Sequence, residues 1–80
     1  MKIDVIKKEI SAVVNISGRF DAIGASEFDA HITERENMNC PVILDFENVN
    51  YLSSAGIRSI IKLLKAQKKN GFEILFVSLN

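Results

Sequence analysis

A length of eighty residues predicts one domain over 1–80, with no room for a second among them. The composition is 48% apolar and 25% charged, with one Pro, four Gly and one Cys, which excludes disorder, a collagen repeat, a disulfide scaffold and a zinc finger. Net charge is zero, against nucleic acid as a main partner, yet residues 1–48 carry five basic and nine acidic groups (net −4) and residues 49–80 five basic and one acidic (net +4).

Ile3, Val5 and Ile6, then Ile10, Ala12, Val14 and Ile16, alternate in part and predict two short strands over 2–7 and 10–17, joined as a hairpin. Gly18 is expected to end the second strand. Ala25, Phe28 and Ile32 recur at helical spacing with acidic residues outside, a helix with Gly24 as N-cap and Asn37 to Asn39 as its stop. Pro41 opens the run Val42-Ile43-Leu44, which suits a strand buried on both faces and ending at Asp45-Phe46. Asn48 to Ser53 reads as a loop carrying Val49, Tyr51 and Leu52. Ser54 then caps a second helix, with Ile57, Ile60, Ile61 and Leu64 as its buried stripe and Arg58, Lys62, Lys65 and Lys69 on another face. Asn70-Gly71 stops it, and Phe72 to Leu79 form the last strand. The order β-β-α-β-α-β predicts an α/β fold with a four-stranded mixed sheet, its last two strands parallel through a right-handed crossover.

No apolar run approaches the roughly 18 residues of a membrane span, and the opening Met1-Lys2-Ile3-Asp4 lacks the apolar block of a signal peptide. A cytoplasmic domain with no cofactor and no metal is the expectation. The charge split reads as two helices solvated with opposite signs; the sharper reading is a surface steered toward a charged protein partner.

Functional loops in open α/β sheets gather at the carboxyl ends of the parallel strands, which points to Glu47–Ser54. There Ser53-Ser54-Ala55-Gly56 places hydroxyls and small residues at a helix start, where unpaired amides and the macrodipole favour an anion. On the residues alone, Ser54 as a plain cap is the simpler reading.

The stretch Val42-Ile-Leu-Asp-Phe-Glu-Asn-Val-Asn-Tyr-Leu-Ser-Ser-Ala-Gly-Ile-Arg-Ser-Ile-Ile resembles the signature of the STAS family, whose small soluble members are bacterial anti-sigma factor antagonists (anti-anti-sigma factors). Ile16-Ser-Gly-Arg-Phe-Asp-Ala and Asn70-Gly-Phe-Glu-Ile-Leu-Phe-Val resemble its other motifs, so the likeness covers nearly the whole chain in order. What the resemblance implies is a non-catalytic partner switch in transcription regulation. The unphosphorylated antagonist binds an anti-sigma factor that is also a serine kinase, phosphorylation releases it, and a serine phosphatase resets it. Aligning Gly56 with the Gly of the family pattern Asp-Ser-Ser/Thr-Gly puts Ser54 at the phosphorylated serine, Ser53 at the Asp and Ala55 at the second hydroxyl. With the Asp replaced, Ser53 is the fallback phosphosite, and no phosphorylation is the third option. Asp21 matches the acidic residue of the strand-end motif, and the implied partner surface is Asp21, Tyr51, Leu52, Ser53, Ser54, Ala55, Gly56 and Arg58. The family fold usually continues for a further helix and strand, so an open core face is expected, covered by a second copy or left as exposed apolar surface. The alternative on the same fold is an accessory subunit of a lipid-transport ABC ATPase without a phosphoswitch.

Other residues carry less. His31 is a weak candidate for a general base, since nothing else resembles a triad. Cys40 reads as a plain thiol with no nearby cation to activate it, and Asp45 with Glu47 as strand-end solvation, two carboxylates being too few for a hard cation. Tyr51 and Leu52 read as plugs under the loop, with Tyr51 as an interface anchor in the other reading. The basic stripe reads as a solvated face, or as a site for an anionic lipid or acidic partner.

Overall fold

A computed structural model describes residues 1–33 and 40–77. The elements follow as β1 (Lys2–Lys7), β2 (Ala12–Phe20), α1 (Ala22–Thr33), β3 (Val42–Leu52), α2 (Ser54–Lys69) and β4 (Ile74–Val77). They form the expected four-stranded mixed sheet, in the order β1-β2-β3-β4. β1 runs antiparallel to β2, while β2, β3 and β4 are parallel.

Alternation of side chains across the sheet decides which apolar residues meet. Val5, Val14, Leu44 and Phe76 form one cross-strand row on the inner face. With Ile16, Val42, Phe46 and Ile74 they pack against Phe28 and Ala25 of α1 and Leu63 of α2. Phe20 and Phe28 meet with ring centroids 5.2 Å apart. Cys40 and Gln67 close one end of this core, the Gln67 amide donating to the Cys40 carbonyl at 2.9 Å.

The structure corrects several sequence expectations. Val42-Ile43-Leu44 is not buried on both faces: Val42 and Leu44 are buried against the helices, while Ile43 lies half-buried on the opposite face. β2 does not end at Gly18; the glycine takes φ 92° and the strand runs on to Phe20. Of the expected loop over 48–53, all but Ser53 is strand as well. β3 carries an extra residue between Asp45 and Asn48 and another between Val49 and Tyr51 relative to β2, and so stays paired as far as Leu52. Asparagines at 48 and 50 disguise that strand. α1 begins at Ala22, capped by Asp21 rather than Gly24; the expected stop at Asn37 to Asn39 lies outside the described residues. β4 is the shorter Ile74–Val77.

The largest correction concerns α2. The helix is present, yet the residues it buries are Gly56, Ser59, Leu63 and Gln67, one position off the expected stripe. Ile57 (45% exposed), Ile61 (43%) and Leu64 (39%) face outward, and Ile60 is half-buried. Close approach explains the rotation. A Cβ on Gly56 would lie 2.7 Å from the Phe20 ring and 2.8 Å from the Phe20 carbonyl oxygen, so this turn sits almost on the β2 backbone. Small Ser59 similarly turns toward α1, with its hydroxyl 3.5 Å from the Ala25 carbonyl. The helix packs tightest where its side chains are smallest, and the isoleucines are left on the flank.

Candidate functional site

β2 and β3 end side by side, Phe20 opposite Leu52, and both chains turn into helices there. The bond from the Ser53 amide to the Phe20 carbonyl (2.9 Å) ties the two ends together. Ser53 is extended (φ −86°, ψ 170°) and is the N-cap of α2. Its hydroxyl donates to the Phe20 carbonyl at 3.0 Å and accepts from the Gly56 amide at 3.1 Å. Ser54 is therefore not the cap, as expected from the sequence, but the first residue of the helix. Its side chain is exposed, and its hydroxyl has no hydrogen-bond partner among the described residues.

Asp21 occupies the equivalent position on the neighbouring helix. Its carboxylate accepts from the Gly24 amide at 3.0 Å, and the Arg19 guanidinium lies 3.9 Å away. The Gly24 bond first, and Arg19 with it, hold this carboxyl below its ordinary pKa, against the raising effect of desolvation. Two helix starts thus lie together, each capped by a side-chain oxygen from the residue that ends its strand connection.

Arg19 and Tyr51 are register partners on β2 and β3, and the guanidinium stacks 4.1 Å from the Tyr51 ring centroid. Tyr51 and Leu52 are exposed, which overturns their reading as plugs under a loop. Arg58, one turn into α2, is also exposed and places its Nε 3.4 Å from the Ser54 carbonyl. Between the helices runs an open groove of 220 Å³ lined by small residues, among them Ala22, Ala55 and Ser59, and rimmed by Arg58 and the Asp29–Lys62 bridge at 3.1 Å.

Of the eight sequence-chosen residues at these two strand ends and helix starts, Tyr51, Leu52, Ser54 and Arg58 are exposed, and Asp21, Ser53 and Ala55 are half-buried. The eighth, Gly56, is buried. Arg19 is the residue the sequence reading missed, and only its pairing with Tyr51 reveals it.

The weighed alternatives fall elsewhere. His31 lies in the last turn of α1, ten residues from Asp21, so about 15 Å further along the helix axis. Cys40 is buried and does have a cation beside it, Lys7 Nζ at 3.5 Å, contrary to expectation. Asp45 accepts from the Glu47 amide at 2.9 Å, a local turn at the first β3 irregularity. No group of three or more metal-ligating side chains assembles among the described residues, and no helix there is long and apolar enough to cross a membrane.

Comparison with known proteins supplies a family. A family model described as the STAS domain matches residues 2–80. A solved antisigma-factor antagonist STAS domain from Rhodobacter sphaeroides superposes with TM-score 0.76 at 10% identity, over 96% of this chain and 85% of that one. A structure described as "Crystal Structure Analysis of Mglu" superposes with TM-score 0.81 at 16% identity, over 91% of this chain but 18% of the other. This chain therefore corresponds to a small part of that protein. At these identities the two likenesses show the fold.

Proposed function

The chain belongs to the STAS domain family, and we propose that it is a non-catalytic protein-binding module of the anti-sigma factor antagonist type, with Ser54 as a phosphorylation switch. The observation that carries the reading is the division of labour between the two serines. Ser53 stands where the family pattern has Asp, and its hydroxyl accepts from the Gly56 amide as an N-cap Asp would. The substitution therefore keeps the helix start intact and leaves the Ser54 hydroxyl exposed and uncommitted. Ser54 is the more exposed of the two hydroxyls, and phosphorylating Ser53 would remove the proton that it donates to the Phe20 carbonyl.

Phosphorylation of Ser54 adds about −1.5 to −2 charges at neutral pH. In the free chain the first amides of α2 and the macrodipole tolerate that charge, and Arg58 lies one turn away. Under a bound partner the same group is desolvated and crowds whatever faces Ala55 and the groove behind it. A local charge change then opens the interface without refolding the domain. The partner proposed is an anti-sigma factor with serine kinase activity, a serine phosphatase completing the cycle in the bacterial cytoplasm.

The test is incubation with an anti-sigma kinase and ATP, followed by intact mass and complex stability. We expect one phosphate, abolished by Ser54→Ala and retained in Ser53→Ala, and loss of the complex on modification. No mass gain, or a gain that survives both substitutions together, overturns the switch. Co-purification with a transport ATPase instead would favour the accessory-subunit reading of the same fold.

A further inference from the structure

Ser54 and Arg58 are four residues apart on α2, and side chains at that spacing share a helix face, with Cβ atoms about 5–6 Å apart. The Arg58 side chain folds back along this face, its Nε donating to the Ser54 carbonyl at 3.4 Å. That bond is long and exposed, and it leaves the Nη hydrogens of the guanidinium without a partner among the described residues. The neighbouring cations are engaged. Lys62 is held by Asp29 at 3.1 Å, and Arg19 lies over the Tyr51 ring and 3.9 Å from Asp21. Arg58 meets no carboxylate among the described residues. One open hydroxyl and one open guanidinium thus stand a single turn apart.

We propose that Arg58 reads the phosphorylation state of Ser54: it pairs with the phosphate inside the chain and is thereby withdrawn from any partner. The inference rests on Ser54 as the switch residue and assigns how the switch acts. A guanidinium fork matches two phosphate oxygens, and an acidic group four residues before a basic one is the favoured order on a helix. Without phosphate, the exposed Arg58 is open to a partner's carboxylate. With phosphate, a negative group has been added and the positive group beside it neutralised, so one modification changes two charges at the same surface. Lys at position 58 would supply the charge without the fork, and Gln would supply neither.

The test uses the whole chain with phosphoserine at 54, assembled by peptide ligation at Cys40, so that no kinase is needed. If no kinase modifies Ser54, the switch falls while the pairing is still measured. Phosphorus NMR follows the second ionisation of the phosphate. Over that range Arg19, Arg58 and Lys62 stay charged, Asp29 and Asp21 stay ionised, the latter held low first by the Gly24 amide, and His31 lies at the far end of α1. An adjacent cation favours the dianion, so the midpoint should be about half a pH unit lower in the wild type than in Arg58→Gln, the scale of a charge-assisted pair on a helix. Arg58→Lys should recover part of that difference, and Arg19→Gln should leave the midpoint nearly in place. Labelling of Arg58 by phenylglyoxal, read by peptide mass, should be several-fold slower with the phosphate than without it. Three results would overturn the proposal: equal midpoints in the wild type and Arg58→Gln, a displacement in Arg19→Gln as large as in Arg58→Gln, or equal labelling of Arg58 in both forms.

Discussion

Replacing Ser53 with Ala removes an acceptor from the Gly56 amide and a donor to the Phe20 carbonyl in one step. The expected cost is about 1 kcal/mol, the usual scale for a lost N-cap, read as a lower urea midpoint at unchanged m-value. Ser54→Ala, at an exposed first-turn position, should leave that midpoint nearly unmoved. The same logic gives Asp21 a pH signature. Its folded pKa is lowered, first by the Gly24 amide, so the stabilisation is fully present above the unfolded pKa and is lost as pH falls through the folded one. Asp21→Asn keeps an acceptor but loses the charge. The stability gap between wild type and variant should therefore be constant near neutrality and close as pH falls through the carboxylate range. A gap that widens toward acid would contradict the cap. Both serines and Asp21 were visible in the sequence, but which serine does the capping was not. Either hydroxyl can cap, and the choice falls to the one whose backbone is tied to Phe20 from the neighbouring strand.

Among the elements, α2 shows where periodicity stops informing. Its 3.6-residue repeat is plain, but the repeat fits two stripes one residue apart: Ile57, Ile61 and Leu64, or Gly56, Ser59, Leu63 and Gln67. Hydropathy alone selects the first. The second wins because Gly56 and Ser59 let the helix axis approach β2 and α1 more closely than any isoleucine would. The structure thus predicts unequal truncations on one helix. Leu63→Ala, at 2% exposure, should cost about 2–5 kcal/mol, whereas Ile61→Ala should cost well under half as much. Thermal or urea unfolding of the two variants decides between the stripes, and a larger loss at Ile61 would restore the hydropathy choice. Gly56→Ala should also destabilise, by about 1–3 kcal/mol, because its methyl group meets backbone as well as a ring. β3 runs past its expected end for a related reason: its pairing beyond Asp45 depends on two extra residues accommodated against β2, and nothing local to 48–52 announces them.

Over the whole molecule, strand order and connectivity followed from the succession of elements, because a strand, a helix and a strand in one small sheet leave few arrangements. What the succession does not specify is which face of the sheet the helices cover. Both helices lie on the side of Val14, Leu44 and Phe76, so the opposite side presents the row Ile6, Val13, Ile43 and Leu75, one residue from each strand in register. That row ends at β4, whose four residues Ile74–Val77 carry no charge. The other edge differs, since β1 contains Lys2, Asp4 and Lys7. Charged side chains on an edge discourage strand addition, and an uncharged edge invites it. Leu75 is the exposed end of the row, at 58%. Leu75→Lys therefore adds a charge to the β4 edge, which is uncharged over Ile74–Val77, at little expense in packing. Sedimentation and light scattering across a concentration series should show the variant staying monomeric to higher concentration than the wild type, with an unfolding free energy within about 0.5 kcal/mol of it, the usual range for a surface change. If the variant associates as readily as the wild type, neither the β4 edge nor the apolar row governs the chain's self-association.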